Sequence, residues 1–324
     1  MKKTLTRMAA LLGCTALLGT TALLAGCQPS STSPAGGAAS SAAASSADTA
    51  RIGVTASFTP IRWLAEQIGG DYVEVSSATP TNVEPHDYEF SPKQVAELEA
   101  TDVIFYVAGF QPSLDAAIST IGGDNAVNLA DAAKLVHHRG LADNHGDEAT
   151  EAGRVLDPHF WLDPVRMRDV GEAITASLSS MDPEHRADFE ANFARLKQEL
   201  SDLNSRYSTG LAQCATTTVV SSHAAFGYLT DRYNLVQVGI SGIDPDQDPS
   251  PLDISEVKRI MAETGTRTIF AEVNSPAKTA EAIAAETGAS LSSLSTAESD
   301  PEGAGYLAIM DTNLAHLREG LQCQ

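Results

Sequence analysis

The sequence predicts an α/β protein in which two βα lobes, each with a mostly parallel sheet, are joined by one long helix. Two observations support this prediction. Short β-forming segments alternate with helix-forming segments in both halves of the chain, and residues 165–212 between them contain no strong β-forming run. Strands that alternate with helices form parallel sheets with helices packed on their faces. The expected lobes are residues 51–164 and residues 213–324.

The first lobe begins with an alternating β-forming segment at residues 51–57. Pro60 lies at the start of a helix that has its apolar side chains on one face and ends at Gly69-Gly70. The later elements expected here are a strand at 72–77, a helix from Ser91-Pro92 to about 100, a strand at 103–107 and a shorter βα repetition near 126–129.

The middle of the chain has a helical pattern. Apolar side chains recur there at steps of three and four residues, namely Phe189, Phe193, Leu196, Leu200 and Leu203. Asp182-Pro183 predicts the start of this helix, as an N-cap followed by a first-turn proline. About 25 residues at 1.5 Å each give a rod of roughly 37 Å, long enough to join the lobes and stiff enough to limit hinge motion.

The second lobe repeats the alternation. Strands are expected at residues 216–220, 235–240, 267–271 and 289–294. Helices are expected after His223 up to Tyr233, from an Asp253 cap to Glu263, at 276–287 and at 303–321. In open α/β sheets, ligands bind at the carboxyl ends of the strands. His86, His223 and Glu298 all fall in loops at such ends.

The N-terminal residues predict export. Three basic residues precede an apolar run at 8–24, and Leu24-Ala25-Gly26-Cys27 is similar to a lipobox, which implies a signal peptide of residues 1–26 and a lipid on Cys27. An ordinary secretory signal or a membrane-spanning helix is the alternative, although the run is short for a span. Residues 27–50 are dominated by small and polar residues and predict a flexible linker.

The charge of the chain limits its partners. The formal net charge is -21, and loss of the three basic residues of the signal peptide gives -21 - 3 = -24 for the mature chain. A chain this acidic, without a basic cluster, does not bind nucleic acid through its general field. The acidity is consistent with attraction of cations, and equally with a well-solvated surface.

The four cysteines suggest one disulfide. Cys14 lies in the signal peptide and Cys27 in the lipobox, which leaves Cys214 and Cys323. In an oxidising compartment we expect these two to pair, and two unpaired thiols are the alternative.

Three histidines lie in segments stiffened by proline or aromatic neighbours. They are His86 in Glu-Pro-His-Asp-Tyr, His159 in Asp-Pro-His-Phe-Trp-Leu-Asp-Pro and His223 in Ser-Ser-His-Ala-Ala-Phe. A lone histidine is more often a structural residue, but three in comparable settings predict that the imidazoles converge on one metal ion. An anionic fourth ligand is then expected, and Glu298 and Glu272 are the candidates.

A further group of histidines lies in residues 137–153, where acids and glycines predict a surface loop. His137, His138 and His145 could hold a metal there, but only weakly, because the loop has no ordered flanks.

The loops around the three histidines, together with Ala297-Glu298-Ser299-Asp300-Pro301, resemble the signature loops of the metal-specific solute-binding lipoproteins of ABC transporters, in the zinc-uptake branch. The resemblance extends from about residue 51 to the end of the chain. It implies two pseudo-symmetric lobes with a metal cleft between them. Ala297 replaces the leucine that is usual in the laminin-binding members.

Carried over to this chain, the resemblance assigns His86 and His159 as first-lobe ligands and His223 as the second-lobe ligand. Glu298 corresponds to the acidic fourth ligand of the laminin-binding members. Glu272 corresponds to an acid that follows a strand in the family. In this chain it is expected to hold a ligand in place, or to bind the metal instead of Glu298.

The implied function is an extracytoplasmic, lipid-anchored receptor that binds Zn²⁺ and delivers it to an ABC permease and its cytoplasmic ATPase. We expect a monomer and no enzymatic activity, since four ligands leave no position for an activated water. The sequence also lacks the His-Glu-x-x-His, Gly-x-Ser-x-Gly and Walker A motifs. Manganese members carry an acid where this chain has His223, so three imidazoles and one carboxylate favour zinc. A manganese receptor and an adhesin for an extracellular matrix protein are the alternatives.

Overall fold

The computed structural model describes residues 51–80, 83–138, 140, 156–246, 248–273, 277–300 and 302–324. All of these residues belong to one compact unit. The expected signal peptide, the linker with Cys27 and the loop histidine His145 lie outside the described residues. Among the described helices, none has both the length and the apolar character needed to cross a bilayer.

Two parallel four-stranded sheets form the framework, which confirms the predicted fold class. The strands of the first sheet are β1 Ile52–Ala56, β2 Val73–Ser77, β3 Val103–Tyr106 and β4 Ala126–Asn128. Those of the second sheet are β5 Thr218–Ser221, β6 Val236–Gly239, β7 Thr268–Glu272 and β8 Ser290–Leu294. Both sheets have the same order, β2-β1-β3-β4 and β6-β5-β7-β8. The two halves of the chain therefore have the same sheet topology.

Ten helices surround the sheets in the described part of the chain. In the first half they are α1 Thr59–Gly69, α2 Pro92–Ala100, α3 Pro112–Ile121, α4 Ala130–Ala133 and α5 Pro164–Met181. In the second half they are α6 Arg186–Gly210, α7 Gly227–Arg232, α8 Pro251–Thr264, α9 Lys278–Thr287 and α10 Tyr306–Gly320.

The main hydrophobic core is shared by both halves of the molecule. On β3, Phe105 faces this central core and Ile104 faces a smaller outer cluster that includes residues of α2 and α3. On β5, Val219 faces the central core and Val220 faces the outer cluster with α8 and α9. Successive side chains of a strand point to opposite faces of the sheet, so both faces of each sheet are packed against apolar residues.

The long helix α6 is confirmed, but its predicted start is wrong by three residues. Asp182 accepts hydrogen bonds from the backbone N and Nδ1 of His185 at 3.3 and 2.5 Å, so residues 182–185 form a turn and the helix begins at Arg186. The same turn divides the helical stretch in two, because α5 ends at Met181.

Helix α6 contacts elements of both halves. Near its start, Asn192 donates to the carbonyl of Ile68 in α1 at 3.0 Å. Near its end, the Tyr207 hydroxyl donates to the carbonyl of Met310 in α10 at 2.6 Å. The 15 residue steps from Asn192 to Tyr207 give about 22 Å of rise. These contacts agree with a helix that joins two lobes.

The helix caps of the second half differ in detail from the prediction. Ser250, not Asp253, is the N-cap of α8, and Asp253 is the third residue of a capping box with it. Helix α10 begins at Tyr306 instead of residue 303.

The expected disulfide joins Cys214 and Cys323, which are 109 positions apart in the sequence. It fastens the segment after α6 to the C-terminal end of the chain.

Candidate metal site

His86, His223 and Glu298 each bring a possible ligand atom close to Nε2 of His159. Nε2 of His159 lies 3.3 Å from Nε2 of His86, 3.5 Å from Nε2 of His223 and 3.1 Å from Oε1 of Glu298. Zinc in a tetrahedral site holds nitrogen ligands at about 2.0–2.1 Å, and the corresponding tetrahedral edge is about 3.4 Å. The three distances from His159 are therefore close to a tetrahedral edge, and the ligand atoms of His86, His159 and Glu298 all lie within 4.8 Å of one another, a group that does not include His223.

His86 is positioned by the loop that follows β2. The side-chain amide of Gln111 donates to the carbonyl of Pro85 at 3.1 Å and to the Thr79 hydroxyl at 2.7 Å. These two bonds hold the loop in place. The backbone N–H of His86 donates to Glu84 Oε1 at 3.2 Å. The imidazole meets the ring of Phe110 edge to face, with centroids 4.7 Å apart.

His159 is completely buried and is oriented by Asp157. Oδ1 of Asp157 accepts Nδ1–H of His159 at 2.7 Å and its backbone N–H at 2.9 Å. Because Nδ1–H donates to Asp157, Nε2 is the ring nitrogen that faces the site. A carboxylate behind a histidine is the usual device for orienting a metal ligand.

His223 is oriented by a second carboxylate. It follows β5, and Glu272 is the last residue of the adjacent strand β7. Nδ1 of His223 and Oε2 of Glu272 are 2.7 Å apart, an ion-pair distance, although the alignment is not that of a regular hydrogen bond. Oε1 of Glu272 accepts from the Thr296 hydroxyl at 3.1 Å. Glu272 thus lies behind His223.

Glu298 follows β8 and is only 4 % exposed. Its Oε1 makes no regular hydrogen bond despite its 3.1 Å contact with His159 Nε2. The preceding residue Ala297 has φ +59°, a left-handed conformation that costs a residue with a side chain roughly 1–2 kcal/mol. This local strain accompanies the turn that directs Glu298 inward.

The segment that carries His159 is bonded to the second half of the molecule. The Tyr228 hydroxyl donates to the carbonyl of Asp157 at 2.6 Å, and Trp161 Nε1 donates to the carbonyl of Thr296 at 2.6 Å. The Tyr306 hydroxyl donates to the carbonyl of Trp161 at 2.5 Å.

Asp163 closes the same segment. The Arg232 guanidinium of α7 donates to both of its carboxylate oxygens at 2.7–3.0 Å. Although the segment precedes α5 in the sequence, these polar contacts fix it to α7, α10 and the loop after β8.

The buried charges shift the pKa values of the site. Burial alone would lower the pKa of His159, but the charges and hydrogen bonds of Asp157 and Glu298 outweigh it and raise the pKa to about 10. Burial and the neighbouring histidines hold the pKa of His86 well below its usual value. Burial and the nearby Glu298 raise the pKa of Glu84 to about 8. Below that pH, Glu84 is largely neutral.

A cavity of about 400 Å³ is lined by His223 and by several acidic residues. Oxygens of Glu84, Glu272 and Glu298 lie within 4.8 Å of one another beside it. Ionised carboxylates beside a buried site concentrate cations there, and Glu84, which is largely neutral below its pKa of about 8, adds little to this at neutral pH.

The supporting roles of Asp157, Glu84, Gln111 and Thr296 were not found from the sequence, and His138 was found only as a possible weak metal ligand. Asp157 had a readable signal, since a carboxylate two residues before a candidate ligand can fold back onto its ring. Of the loop histidines, His138 is fixed near Asp157, and no metal-spaced group among the described residues includes it.

Comparison with known proteins identifies the family. The family model "Zinc-uptake complex component A periplasmic", or ZnuA, matches residues 54–320. The chain belongs to the ZnuA family. Members of this family are solute-binding receptors and not enzymes. The resemblance that the histidine loops carry is thereby confirmed.

Individual relatives agree with ZnuA membership. The chain is 30% identical over 280 residues to the high-affinity zinc uptake protein ZnuA of Bacillus subtilis. The alignment covers 84% of this chain and 88% of the relative. It spans 56% of the length of the zinc-binding AdcA proteins of Streptococcus pyogenes.

Solved structures of ZnuA-like proteins have the same fold. The laminin-binding protein Lbp of Streptococcus pyogenes has a TM-score of 0.71 at 29% identity, and covers 83% of this chain and 99% of its own. A Zn(II)-bound AdcAII variant of Streptococcus pneumoniae has a TM-score of 0.73 at 27% identity, and covers 84% and 98%.

Proposed function

We propose that this protein is an extracytoplasmic zinc receptor that binds one Zn²⁺ with His86, His159, His223 and Glu298. The receptor delivers the ion to an ABC permease that is driven by a cytoplasmic ATPase. Zinc is the cargo of this protein, so capture and release of the ion are its whole activity. Family membership and the zinc-binding relatives support this function.

The contacts of His159 Nε2 with three other possible donor atoms carry the proposal. Nε2 of His159 lies 3.3 Å from Nε2 of His86, 3.5 Å from Nε2 of His223 and 3.1 Å from Oε1 of Glu298, and the four residues come from four separate segments of the chain. Lone pairs directed at one another repel unless a proton or a cation lies between them. A bound cation removes this repulsion for all four atoms at once.

The donor set favours zinc. Imidazole suits zinc and the late transition metals, whereas oxygen-rich sites suit manganese and calcium. Asp157 and Glu272 lie behind two of the imidazoles, which supports their role as ligand-orienting groups and Glu298 as the carboxylate in direct contact with zinc.

The proposal includes the arrangement of the mature chain. Residues 51–164 and 213–324 form two metal-binding lobes, and residues 165–212 connect them through the long helix. A lipid on Cys27 and the linker of residues 27–50 hold the monomeric receptor at the membrane near its permease. The contacts of α6 with both α1 and α10 support this division.

Native mass spectrometry with elemental analysis tests the function. We expect one zinc per chain on residues 51–324, retained in competition with Mn²⁺ and lost in His86→Ala and in His223→Ala. His316→Ala is the matched control, because this α10 histidine bonds to the carbonyl of Ser293 and is expected to leave zinc bound. Absence of metal, displacement by manganese, or a His159→Ala affinity within twofold of wild type would refute the assignment.

A second candidate function is adhesion to an extracellular matrix protein. The observation that favours it is the structural similarity to laminin-binding Lbp. Solid-phase binding of the mature protein to laminin, with and without zinc, tests this function. Binding in the His223→Ala variant would mean that adhesion does not depend on the metal site.

A further inference from the structure

Asp157 divides its two carboxylate oxygens between two histidines. Oδ1 accepts the side-chain and backbone N–H groups of His159, as described above, and Oδ2 accepts Nδ1–H of His138 at 2.7 Å. Asp157 is fully buried, so water does not replace either partner. The direction of Oδ1 therefore depends on what holds Oδ2.

His138 is itself held firmly. Its Nε2 lies 2.9 Å from Oδ2 of Asp231, and its ring meets that of Tyr228 edge to face with centroids 4.7 Å apart. Both ring nitrogens face carboxylate oxygens, which only accept hydrogen bonds, so both carry a proton. Gly227, Tyr228 and Asp231 together form a cradle around the His138 ring. Gly227 is part of it because a Cβ at that position would overlap the ring.

The cradle lies on one face of α7. Gly227 and Asp231 are four residues apart on this helix, so they lie one turn above the other. A histidine from the segment after α4 thus fits a notch in α7 and reaches the carboxylate that orients His159. The connected groups are Asp231, His138, Asp157 and His159, in order from the surface inward.

We propose that His138 is a positioning residue for zinc capture, which fixes Asp157 so that Nε2 of His159 points at the ion. This role rests on the proposed zinc function. A carboxylate bonded only to His159 can turn about its side-chain torsions, and the imidazole turns with it. The bond from His138 removes that freedom, and it also satisfies an oxygen that would otherwise be buried without a partner.

Two substitutions at residue 138 separate its two bonds. In His138→Asn the amide nitrogen takes the place of Nδ1, so the bond to Asp157 remains and the bond to Asp231 is lost. In His138→Gln the amide nitrogen takes the place of Nε2, so the bond to Asp231 remains and the bond to Asp157 is lost. Both variants remove the same positive charge, which makes them a matched pair.

Zinc dissociation constants are measured on the full mature chain by competition with a chelator. We expect His138→Gln to bind zinc about tenfold more weakly than His138→Asn, since loss of a partner behind a ligand costs about 10–100-fold. Equal dissociation constants for the two variants would overturn the proposal. Equal melting temperatures of the two metal-free variants would show that the difference in affinity is not one of stability.

The imidazole NMR signals of His159 supply a readout that a purely structural role would not change. In the metal-free wild type and in His138→Asn, we expect the proton bound to Nδ1 of His159 to give one sharp hydrogen-bonded signal. In His138→Gln this signal should shift or broaden. Asp231→Ala, at an exposed position, should shift it less, and it serves as the test if His138→Gln does not fold.

The signals also separate this proposal from the zinc function. If the wild type binds no zinc, the function fails, while the metal-free NMR comparison still decides the role of His138. If zinc binds normally and neither His138→Gln nor Asp231→Ala changes the His159 signal, the role of His138 is refuted and the zinc function stands.

Discussion

At the scale of single residues, the site depends on which ring nitrogen of each histidine is available. Asp157 and Glu272 occupy Nδ1 of His159 and His223, so both rings present Nε2 to the same point. Glu298 then supplies the only carboxylate oxygen among the four candidate donor atoms. Two of the three imidazoles are thus oriented by carboxylates, and these come from different segments of the chain.

Protonation of His159 opposes zinc binding. Its pKa is about 10 in the metal-free protein, so at pH 7 the ring carries the proton that zinc must displace. Because the proton is lost as pH rises toward 10, we expect zinc affinity to rise close to tenfold per pH unit above pH 7. Calorimetry in buffers of different ionisation enthalpy measures the protons released on binding.

Glu84→Gln is the control for this measurement. The pKa of Glu84 is about 8, so the charge of the ion would also remove a proton from Glu84 in the wild type. The variant should release about one proton at pH 7.5, which then belongs to His159. Zinc binding without proton release in Glu84→Gln would contradict the raised pKa of His159.

The sequence identified the histidines but not their supporting groups. The Pro-stiffened and aromatic-backed settings of His86 and His159 are local, and so is the loop position of His223. The bond between His138 and Asp157 depends on a fold that brings together residues from either side of the 139–155 segment. No local sequence pattern predicts that His138 and Asp157 come within hydrogen-bond distance.

At the scale of elements, the segment from Asp157 to Pro164 connects the metal site to helices of both halves of the molecule. It carries His159, it provides the Asp163 N-cap of α5, and its carbonyls accept hydrogen bonds from Tyr228 and Tyr306. Two prolines and a buried tryptophan leave it little conformational freedom. The sequence predicted a rigid segment here, and the structure adds what it is fastened to.

Tyr306→Phe tests this fastening. The change removes the hydroxyl that donates to the carbonyl of Trp161, which leaves a buried oxygen unpaired at a cost of about 1–3 kcal/mol in the free energy of unfolding. We expect zinc affinity to fall as well, by less than the roughly tenfold effect of a direct partner of a ligand. Urea unfolding and chelator competition measure the two effects.

Tyr207→Phe is the matched control. The Tyr207 hydroxyl is also buried and also donates to a backbone carbonyl, that of Met310, but it lies on α6 away from the histidines. Its loss should reduce stability by a similar amount and leave zinc affinity unchanged. Equal effects of the two variants on zinc affinity would argue that the fastening of the segment does not matter for binding.

The break between α5 and α6 shows where element prediction from sequence ends. Asp182-Pro183 has the composition of a helix start, but Asp182 binds His185 and the ring of Tyr72 stacks on that histidine at 3.9 Å. The tertiary contact fixes a turn, and the helix begins after it. An N-cap preference is weaker than such a packed contact.

At the scale of the whole molecule, the two halves are related but not equivalent at the site. Ser57 donates its backbone N–H to Phe105 at 2.9 Å, and Ser222 makes the corresponding bond to Phe270 at 3.1 Å. The residue that corresponds to His223 is therefore Phe58, which packs on Trp161 with centroids 4.6 Å apart. An aromatic cluster fills the first half where the second half has its metal-facing histidine.

The disulfide is expected to stabilise this unit without taking part in zinc binding. It closes a loop across 109 positions, so in the chain-entropy account the double variant Cys214→Ser with Cys323→Ser loses about 4–5 kcal/mol of unfolding free energy. Cys214 precedes β5 and His223 follows it, so the two lie beyond opposite ends of the strand.

Calorimetric unfolding and zinc stoichiometry of the double cysteine variant are the measurements. We expect a lower melting temperature with one zinc still bound per chain. Loss of zinc at temperatures where the variant remains folded would show that the C-terminal end contributes to the site.

The sequence by itself determined the alternation of strands and helices in both halves, the two parallel sheets, the disulfide partners and the three candidate histidines. These follow from periodicity, turn residues and residue chemistry, which act over a few neighbouring positions. Only the tertiary structure decided that Glu272 lies behind His223, that Asp157 links His138 to His159, and that the His159 segment is fastened to α7 and α10. Those relations depend on distances between residues far apart in the chain, which are fixed when the shared core packs and the backbone closes around it.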